Sequence, residues 1–167
     1  PNNFGALKSK AYSLGNLNKY LEAMEIHDKL LEINPRDVEV LKSKAYSLNK
    51  SEKYLEAMEI YDKLLEINPN DVGALKSKAY SLNKSEKYLE AMEIYDKLLE
   101  INPNDAKILQ SKSICLGNLN KYPDAIEIYD KLLEIKPDDA KILQSKAYSL
   151  GNLNKYPDAI EIYDKLL

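Results

Sequence analysis

The residues of this chain best suited to nucleophilic or metal chemistry are one histidine, His27, and one cysteine, Cys115. Both stand at positions that recur every 34 residues and are otherwise filled by one residue type. His27 replaces the tyrosines at 61, 95, 129 and 163, and Cys115 replaces the serines at 13, 47, 81 and 149. Since three repeats of helices, at roughly 8–10 Å per layer, separate them, we expect no catalytic pair. We predict that both fill packing positions.

The remaining polar residues give no other signature of catalysis. Carboxylates are frequent, but they recur at solvent-face spacing, whereas paired acids for general acid–base catalysis should interrupt a repeat. The sequence contains no glycine-rich phosphate loop and no Cys-x-x-Cys motif. We therefore predict that the chain is not an enzyme and carries no cofactor or metal ion.

Composition limits the class of protein. The 167 residues are 44% hydrophobic, enough for a core, and the net charge of −3 argues against a general nucleic-acid binder. No apolar run approaches the roughly 20 residues of a membrane span, and residues 1–4 lack the basic start of a signal peptide. One cysteine is compatible with a reducing compartment, so we expect a cytoplasmic protein without membrane contact. The chain reads as a segment of a longer one.

A 34-residue period organises the sequence, because proline recurs at positions 1, 35, 69, 103 and 137. We expect one domain, 1–167, with repeats at 1–34, 35–68, 69–102, 103–136 and 137–167, the last one truncated. Residues 35–68 and 69–102 differ at only three positions. Such near-identity indicates recent duplication or construction, and the sequence leaves both open.

Each repeat has the spacing of two amphipathic helices. In the third repeat, Val72, Leu75, Ala79 and Leu82 form one apolar stripe, and a second stripe runs from Tyr88 to Leu99. We call these helix A and helix B. Aspartate is expected to cap helix A at positions 37, 71, 105 and 139, and proline at 123 and 157 fits the first turn of helix B.

This pattern resembles the tetratricopeptide repeat family over the whole chain. Its small-residue positions match Ala79 and Ala91, its aromatic positions Tyr88 and Tyr95, and its closing proline Pro103. The resemblance implies an all-α fold, a right-handed α-solenoid superhelix of antiparallel helix-turn-helix repeats with helix A on the concave side.

The sequence departs from the family pattern at one position. A lysine stands before the small residue of helix A, at positions 10, 44, 78, 112 and 146. We expect its stem to lie on apolar surface and its ammonium in water.

A second stripe on helix A, offset by one residue from the apolar one, is polar and aromatic. It supplies the candidate peptide-binding residues Lys8, Tyr12, Lys42, Tyr46, Asn49, Lys76, Tyr80, Asn83, Lys107, Gln110, Lys141, Gln144 and Tyr148. The alternative for the tyrosines is packing between neighbouring A helices. A third stripe contains serine in every repeat, at 9, 43, 77, 111 and 145, and its small size favours close helix packing over ligand binding.

Charge and stripe together predict the function. Helix A carries lysines and almost no acids, so its face should attract an acidic segment, and its tyrosines suit a binding hot spot. We predict a protein–protein interaction scaffold that binds an acidic or extended peptide segment in a concave groove.

Two alternatives come from other classes. The first is end-to-end self-association through the end of the last helix B, at Ile162, Leu166 and Leu167, which no polar helix covers. The second is an RNA-binding helical repeat, which near-identical groove residues and a single arginine, Arg36, argue against.

Overall fold

The computed structural model describes residues 3–167, which form ten α-helices and no strand. The helices are α1 (Phe4–Asn16), α2 (Tyr20–Ile33), α3 (Val38–Lys50), α4 (Tyr54–Ile67), α5 (Val72–Lys84), α6 (Tyr88–Ile101), α7 (Ala106–Asn118), α8 (Tyr122–Ile135), α9 (Ala140–Asn152) and α10 (Tyr156–Leu166). Odd-numbered helices are the predicted A helices and even-numbered ones the B helices. The expected all-α fold of consecutive helix-turn-helix pairs is confirmed. The predicted repeat start at Pro1 lies outside the described residues.

The aspartates predicted to cap the A helices do so. Asp71 Oδ1 accepts a hydrogen bond from the Ala74 amide at 3.0 Å, and Asp37 Oδ1 accepts one from Val40 at 3.1 Å. Asp105 and Asp139 make the same contact at α7 and α9. These bonds satisfy amides that have no partner inside the helix. The expected prolines also lie in the first turn of α8 and α10.

Between helix A and helix B the chain turns through one residue with left-handed backbone geometry. Asn18, Asn120 and Asn154 hold φ values of 58°, 56° and 59°, which asparagine tolerates well. Glu52 and Glu86 adopt φ of 60° at the same turn, at a greater cost for a longer side chain. The turn is thus fixed by the fold rather than by a single residue type.

The helices group into two compact units, one ending at Lys87 and one beginning at Tyr88. In the first unit, α1 to α5 pack each against the next, and Ala45 and Ala57 are fully buried where α3 meets α4. Leu41, Leu48 and Leu64 complete that core. The small residues predicted at the helix crossing are therefore buried, because a larger side chain would hold the helices apart. That all five repeats form one domain stays a prediction.

The second unit contains α6 to α10, again with each helix packed on the next. Its core is built around Leu116, Ala125, Ile128 and Leu132. Ile162 of α10 is 8% exposed and packs with Ala147 and Leu150, so the expectation that it forms an uncovered end was wrong. It faces its own A helix, whereas Ile160, on another side of α10, is 56% exposed.

The lysine that departs from the family pattern forms a repeated ion pair. Lys44 Nζ lies 2.6 Å from Asp28 Oδ1 and Lys78 Nζ lies 2.5 Å from Asp62 Oδ1, each on the preceding B helix. In the second unit Lys112 pairs with Asp96, and Lys146 with Asp130. The lysine side chains are about a fifth exposed, so their stems are covered as predicted. The ammonium, expected in water, instead joins consecutive repeats.

Buried serines of the A helices form hydrogen bonds within their own helices. Ser47 and Ser149 are buried, and each hydroxyl donates to the carbonyl oxygen four residues earlier at 3.0 Å. The buried Ser81 hydroxyl shares its one proton between the Ser77 carbonyl oxygen at 3.0 Å and Asn49 Oδ1 at 2.8 Å. Ser43, Ser77 and Ser145 supply those carbonyls. A hydroxyl bonded within its own helix can be buried without leaving its donor unsatisfied. The serines predicted to pack are less covered, since Ser9 and Ser43 are exposed and the serines at 77, 111 and 145 are half-buried.

Candidate functional site

The predicted binding stripe lies at the surface of the A helices. Tyr12, Tyr46, Tyr80 and Tyr148 are exposed by 74, 54, 47 and 62%, although large aromatic rings usually avoid water. We call this surface the A-helix face. In the first unit it contains Lys8, Tyr12, Lys42, Tyr46, Asn49, Lys76, Tyr80 and Asn83, and in the second unit Lys107, Gln110, Lys141, Gln144 and Tyr148. Shared cavities bring most first-unit candidates together, whereas in the second unit only Gln144 and Tyr148 line one cavity.

Niches separate successive A helices on this face. The first niche, between α1 and α3, has a volume of about 430 Å³ and is lined by Tyr12, Gly15, His27 and Tyr46. The second niche, between α3 and α5, measures about 320 Å³ and is lined by Tyr46, Asn49, Tyr61 and Tyr80. The third, between α7 and α9 in the second unit, measures about 560 Å³ and is lined by Ile114, Gly117, Tyr129, Gln144 and Tyr148. Side-chain-sized concavities therefore recur with the repeat.

The exposed tyrosine rings are held in place by the B helices. Tyr46 packs edge-on against Tyr20 with ring centroids 6.3 Å apart, and Tyr80 packs in the same way against Tyr54. The ammonium of Lys50 lies 5.4 Å from the centre of the Tyr46 ring. Because these rings are ordered before any ligand arrives, binding through them loses little side-chain freedom.

A hydrogen-bond network forms the floor of the second niche. Asn49 Nδ2 donates to Tyr61 Oη at 3.0 Å, and Asn49 Oδ1 accepts from Ser81 Oγ at 2.8 Å. Asn49, predicted to contact a ligand, therefore uses both ends of its amide to tie α3 to α4 and α5. Asn49, Tyr61 and Ser81 occupy positions that recur in other repeats, so the sequence contains a sign of this network. It does not show which amide atoms form the hydrogen bonds.

The lysines of the first unit are less available than the sequence suggested. Lys8 Nζ lies 3.0 Å from Asp37 Oδ2 and 2.7 Å from Glu39 Oε2, and Lys42 Nζ lies 2.6 Å from Asp71 Oδ2. The hydrogen bonds that Lys8 donates to Glu39 and then to Asp37 raise its pKa. The capping aspartates thus bridge two A helices as well as capping one, and they neutralise much of the expected positive charge.

In the second unit, more of the expected positive charge is left without an ion pair. Lys107 and Lys141 are exposed, and within the described part of the chain neither ammonium group forms an ion pair. Lys107 and Lys141 are therefore the candidate residues best placed to meet an acidic ligand.

His27 and Cys115 lie where tyrosine and serine lie in the other repeats. His27 is 4% exposed and Cys115 fully buried, which confirms the packing positions expected for both. Burial lowers the pKa of His27, with a smaller lowering contribution from Lys44 and an opposing one from Asp28. Among residues 3–167, His27 Nδ1 is a buried nitrogen that has no hydrogen-bond partner. No cluster of metal-ligating side chains occurs in that range.

None of the helices, across positions 3–167, has the length and apolar character needed to cross a membrane. This agrees with the absence of a long apolar run in the sequence.

Comparisons with known proteins agree with this architecture. The tetratricopeptide repeat model matches residues 82–148, and the model for anaphase-promoting complex, cyclosome, subunit 3 matches residues 16–98. No curated protein matches the sequence.

Solved structures show the same fold at low sequence identity. MamA from Desulfovibrio magneticus RS-1, residues 41 to its end, has a TM-score of 0.88 at 19% identity, covering 99% of this chain and 93% of that one. YrrB, described as a tetratricopeptide repeat protein with an unusual peptide-binding site, has a TM-score of 0.79 at 21% identity, covering 93% and 80%. The two matching models together span residues 16–148, and with the 34-residue period and the paired helices they support a tetratricopeptide repeat family for this chain. The solved structures show the same fold.

Proposed function

We propose that this chain is a non-enzymatic scaffold that binds an extended peptide segment of a partner protein along its A-helix face. The observation that carries the proposal is the row of exposed tyrosines with niches between them, in which Tyr46 and Tyr80 are packed edge-on against tyrosines of the B helices. Exposed aromatic rings held rigidly are typical of binding hot spots. The fold supports the same class, and YrrB shows that a protein of this fold has a peptide-binding site.

The spacing of the niches suits an extended chain. Neighbouring packed helices lie roughly 8–10 Å apart, and an extended peptide rises about 3.3 Å per residue. About every third side chain of such a peptide would therefore meet a niche in the first unit. A segment bound to the second unit would favour acidic residues, because Lys107 and Lys141 are exposed there. We retain the cytoplasm as the proposed location.

The test is selection from a random peptide library, followed by affinity measurement on the selected peptides by fluorescence anisotropy. The variant Tyr46→Ala/Tyr80→Ala should bind them about fivefold more weakly, because it removes two rings of the A-helix face. The matched control is Leu21→Ala/Leu55→Ala, which removes two exposed apolar side chains, 62 and 60% exposed, from B helices of the same unit. Equal loss in both variants would contradict the proposal.

End-to-end self-association is a second candidate, supported by one observation on α10. Tyr163 is 41% exposed, whereas Tyr61 and Tyr129 at the equivalent position are 5% and 7% exposed. Tyr156 and Ile160 of α10 are also exposed, by 57 and 56%. Such an apolar helix face could receive the α1 of a second copy. Light scattering over a hundredfold range of concentration, on the order of 1–100 µM, should then show growth in mass, and a constant monomer mass would exclude it.

A further inference from the structure

The first niche differs from the second at one contact. In the second niche, Asn49 Nδ2 donates to Tyr61 Oη at 3.0 Å and fills the space between α3 and α4. At the equivalent positions of the first repeat stand Gly15 and His27. Nothing described lies within 4 Å of where a Cβ on Gly15 would be. Both partners of the contact are thus replaced together, and the space they would fill is open.

The consequence is a larger cavity lined by a histidine that has one buried nitrogen without a hydrogen-bond partner. The first niche has about 430 Å³, against about 320 Å³ for the second. His27 lines the first niche, and its Nδ1 is buried without a hydrogen-bond partner. Buried polar atoms are nearly always hydrogen-bonded, so a bound group that bonds this imidazole would satisfy a need the protein leaves open.

The charges around the first niche exclude an anion as the preferred occupant. Lys42, the cation in its wall, is already 2.6 Å from Asp71. Nearby, Lys8 is held by Asp37 and Glu39. An anion would therefore find a paired cation in the wall of the niche rather than a free ammonium group.

The rest of the lining favours an aromatic ring. Tyr12, Tyr20 and Tyr46 all border the first niche, and Tyr46 is fixed edge-on to Tyr20. Aromatic pairs of this kind stabilise an inserted ring beyond the area it buries. A hydroxyl at the far end of such a ring can donate or accept, so it can bond a neutral imidazole in either tautomer.

We propose that the first niche is a specificity pocket for a tyrosine side chain of the bound peptide, with its ring against Tyr12 and Tyr46 and its hydroxyl hydrogen-bonded to His27. This rests on the proposed function, since it names the side chain that the A-helix face selects. A site that hydrogen-bonds a hydroxyl discriminates against the analogue that lacks it, because the buried polar group is then left unpaired. Phenylalanine in place of tyrosine should accordingly bind less well.

The pocket can be tested without knowing the peptide. His27 is the only histidine, so its ring signals in an NMR spectrum are unique. Titration with p-cresol, which reproduces the tyrosine side chain, should shift the ring nitrogen signals saturably with a Kd on the order of 1 mM. Toluene, which lacks the hydroxyl, should bind at least fivefold more weakly. No saturable shift with p-cresol, or equal binding of toluene, would overturn the proposal.

A matched pair of variants shows whether the niche is the site. Gly15→Asn keeps the histidine reporter and fills the niche with the residue found at position 49, so the p-cresol response should be lost. Gly151→Asn makes the same substitution in the fifth repeat, where a Cβ again meets nothing described, and the response should remain. A response that survives Gly15→Asn unchanged would overturn the proposal.

Peptide selection separates failure of the pocket from failure of the proposed function. Selected peptides should carry tyrosine at one position, and Gly15→Asn should abolish that preference. Peptides that bind without a tyrosine preference would overturn the pocket and leave the scaffold function standing. A p-cresol response without any selected peptide would support the pocket and count against the scaffold function.

Discussion

Replacing Asp71 with alanine is expected to lower the free energy of unfolding by about 1–3 kcal/mol. Asp71 accepts a hydrogen bond from the Ala74 amide at 3.0 Å and lies 2.6 Å from the Lys42 ammonium. The substitution therefore removes the cap of α5 and the bridge from α5 to α3 together. Since the Lys42 side chain is half exposed, we assign most of the loss to the cap. Urea denaturation at neutral pH measures it.

The variant Asp71→Asn separates the two contributions. Asparagine caps a helix about as well as aspartate but carries no charge, so it should cost less than 1 kcal/mol. If alanine and asparagine destabilise equally, the bridge rather than the cap is the main contribution, and our apportioning is wrong. If neither variant differs from the original, the repeated aspartate has no structural role.

Acid should remove the contribution that Asp71 makes to the free energy of unfolding. The Lys42 hydrogen bond, followed by that of the Ala74 amide, lowers the pKa of Asp71 below its usual value of 3.8. A carboxyl with a lowered folded pKa stabilises above the unfolded pKa and loses that effect as the pH falls through the folded one. The difference in unfolding free energy between the original chain and Asp71→Ala should thus be constant above about pH 5 and shrink below pH 4.

The second large effect is a loss of stability in mild acid caused by His27. Burial lowers its pKa below the ordinary 6.5, so the folded state keeps the ring neutral while the unfolded state takes up a proton. Stability should be full above about pH 7 and fall as the pH drops through 6.5 toward the folded pKa. The upper limit is about 1.4 kcal/mol per pH unit. Between pH 7.5 and 5.5 we expect a loss of about 1.4 kcal/mol or less.

His27→Tyr is the control, because tyrosine occupies this position in the other four repeats. As the chain has no other histidine, that variant should show almost no change between pH 7.5 and 5.5. The charged neighbours of His27, Asp28 and Lys44, are retained in that variant. Parallel pH curves for the two proteins, from urea midpoints, would show that His27 is protonated equally in the folded and unfolded states.

Much of the fold could be predicted because each repeat restates the same local rules. The proline period, the Asp71-type cap and the spacing of apolar residues act over a few residues each, and all give the observed helix boundaries to within a residue or two. The buried alanines at 45 and 57 follow from the need for close helix approach. Ile162 was misassigned, because the end of the sequence pattern does not show which side of α10 its own A helix covers.

The position of the candidate site could be predicted from the sequence, but the pairing of its charged side chains could not. A stripe offset by one residue from the apolar one must face solvent, so the exposure of Tyr46 and Tyr80 followed from helix geometry alone. The pairing of Lys42 with Asp71 did not, because it joins residues in successive repeats and depends on how far a flexible side chain reaches. The same holds for the Lys44 pair with Asp28.

Because the repeats are nearly identical, the few positions at which they differ can be compared directly. Where Asn49 and Tyr61 are both present, they are joined by a hydrogen bond and the niche measures about 320 Å³, and where glycine and histidine replace them it measures about 430 Å³. Both niches belong to one chain, so differences between proteins do not enter the comparison. The residues that break the repeat, rather than those that obey it, therefore distinguish one niche from the next.

The measurement that tests the central claim most directly is NMR mapping of a library-selected peptide on the isotope-labelled chain. The account predicts that the largest shift changes fall on α1, α3 and α5 in the first unit, centred on Tyr46 and Tyr80. Changes confined to the exposed sides of α2 and α4, around Leu21 and Leu55, would contradict it, since the peptide would then bind without the tyrosine row or its niches.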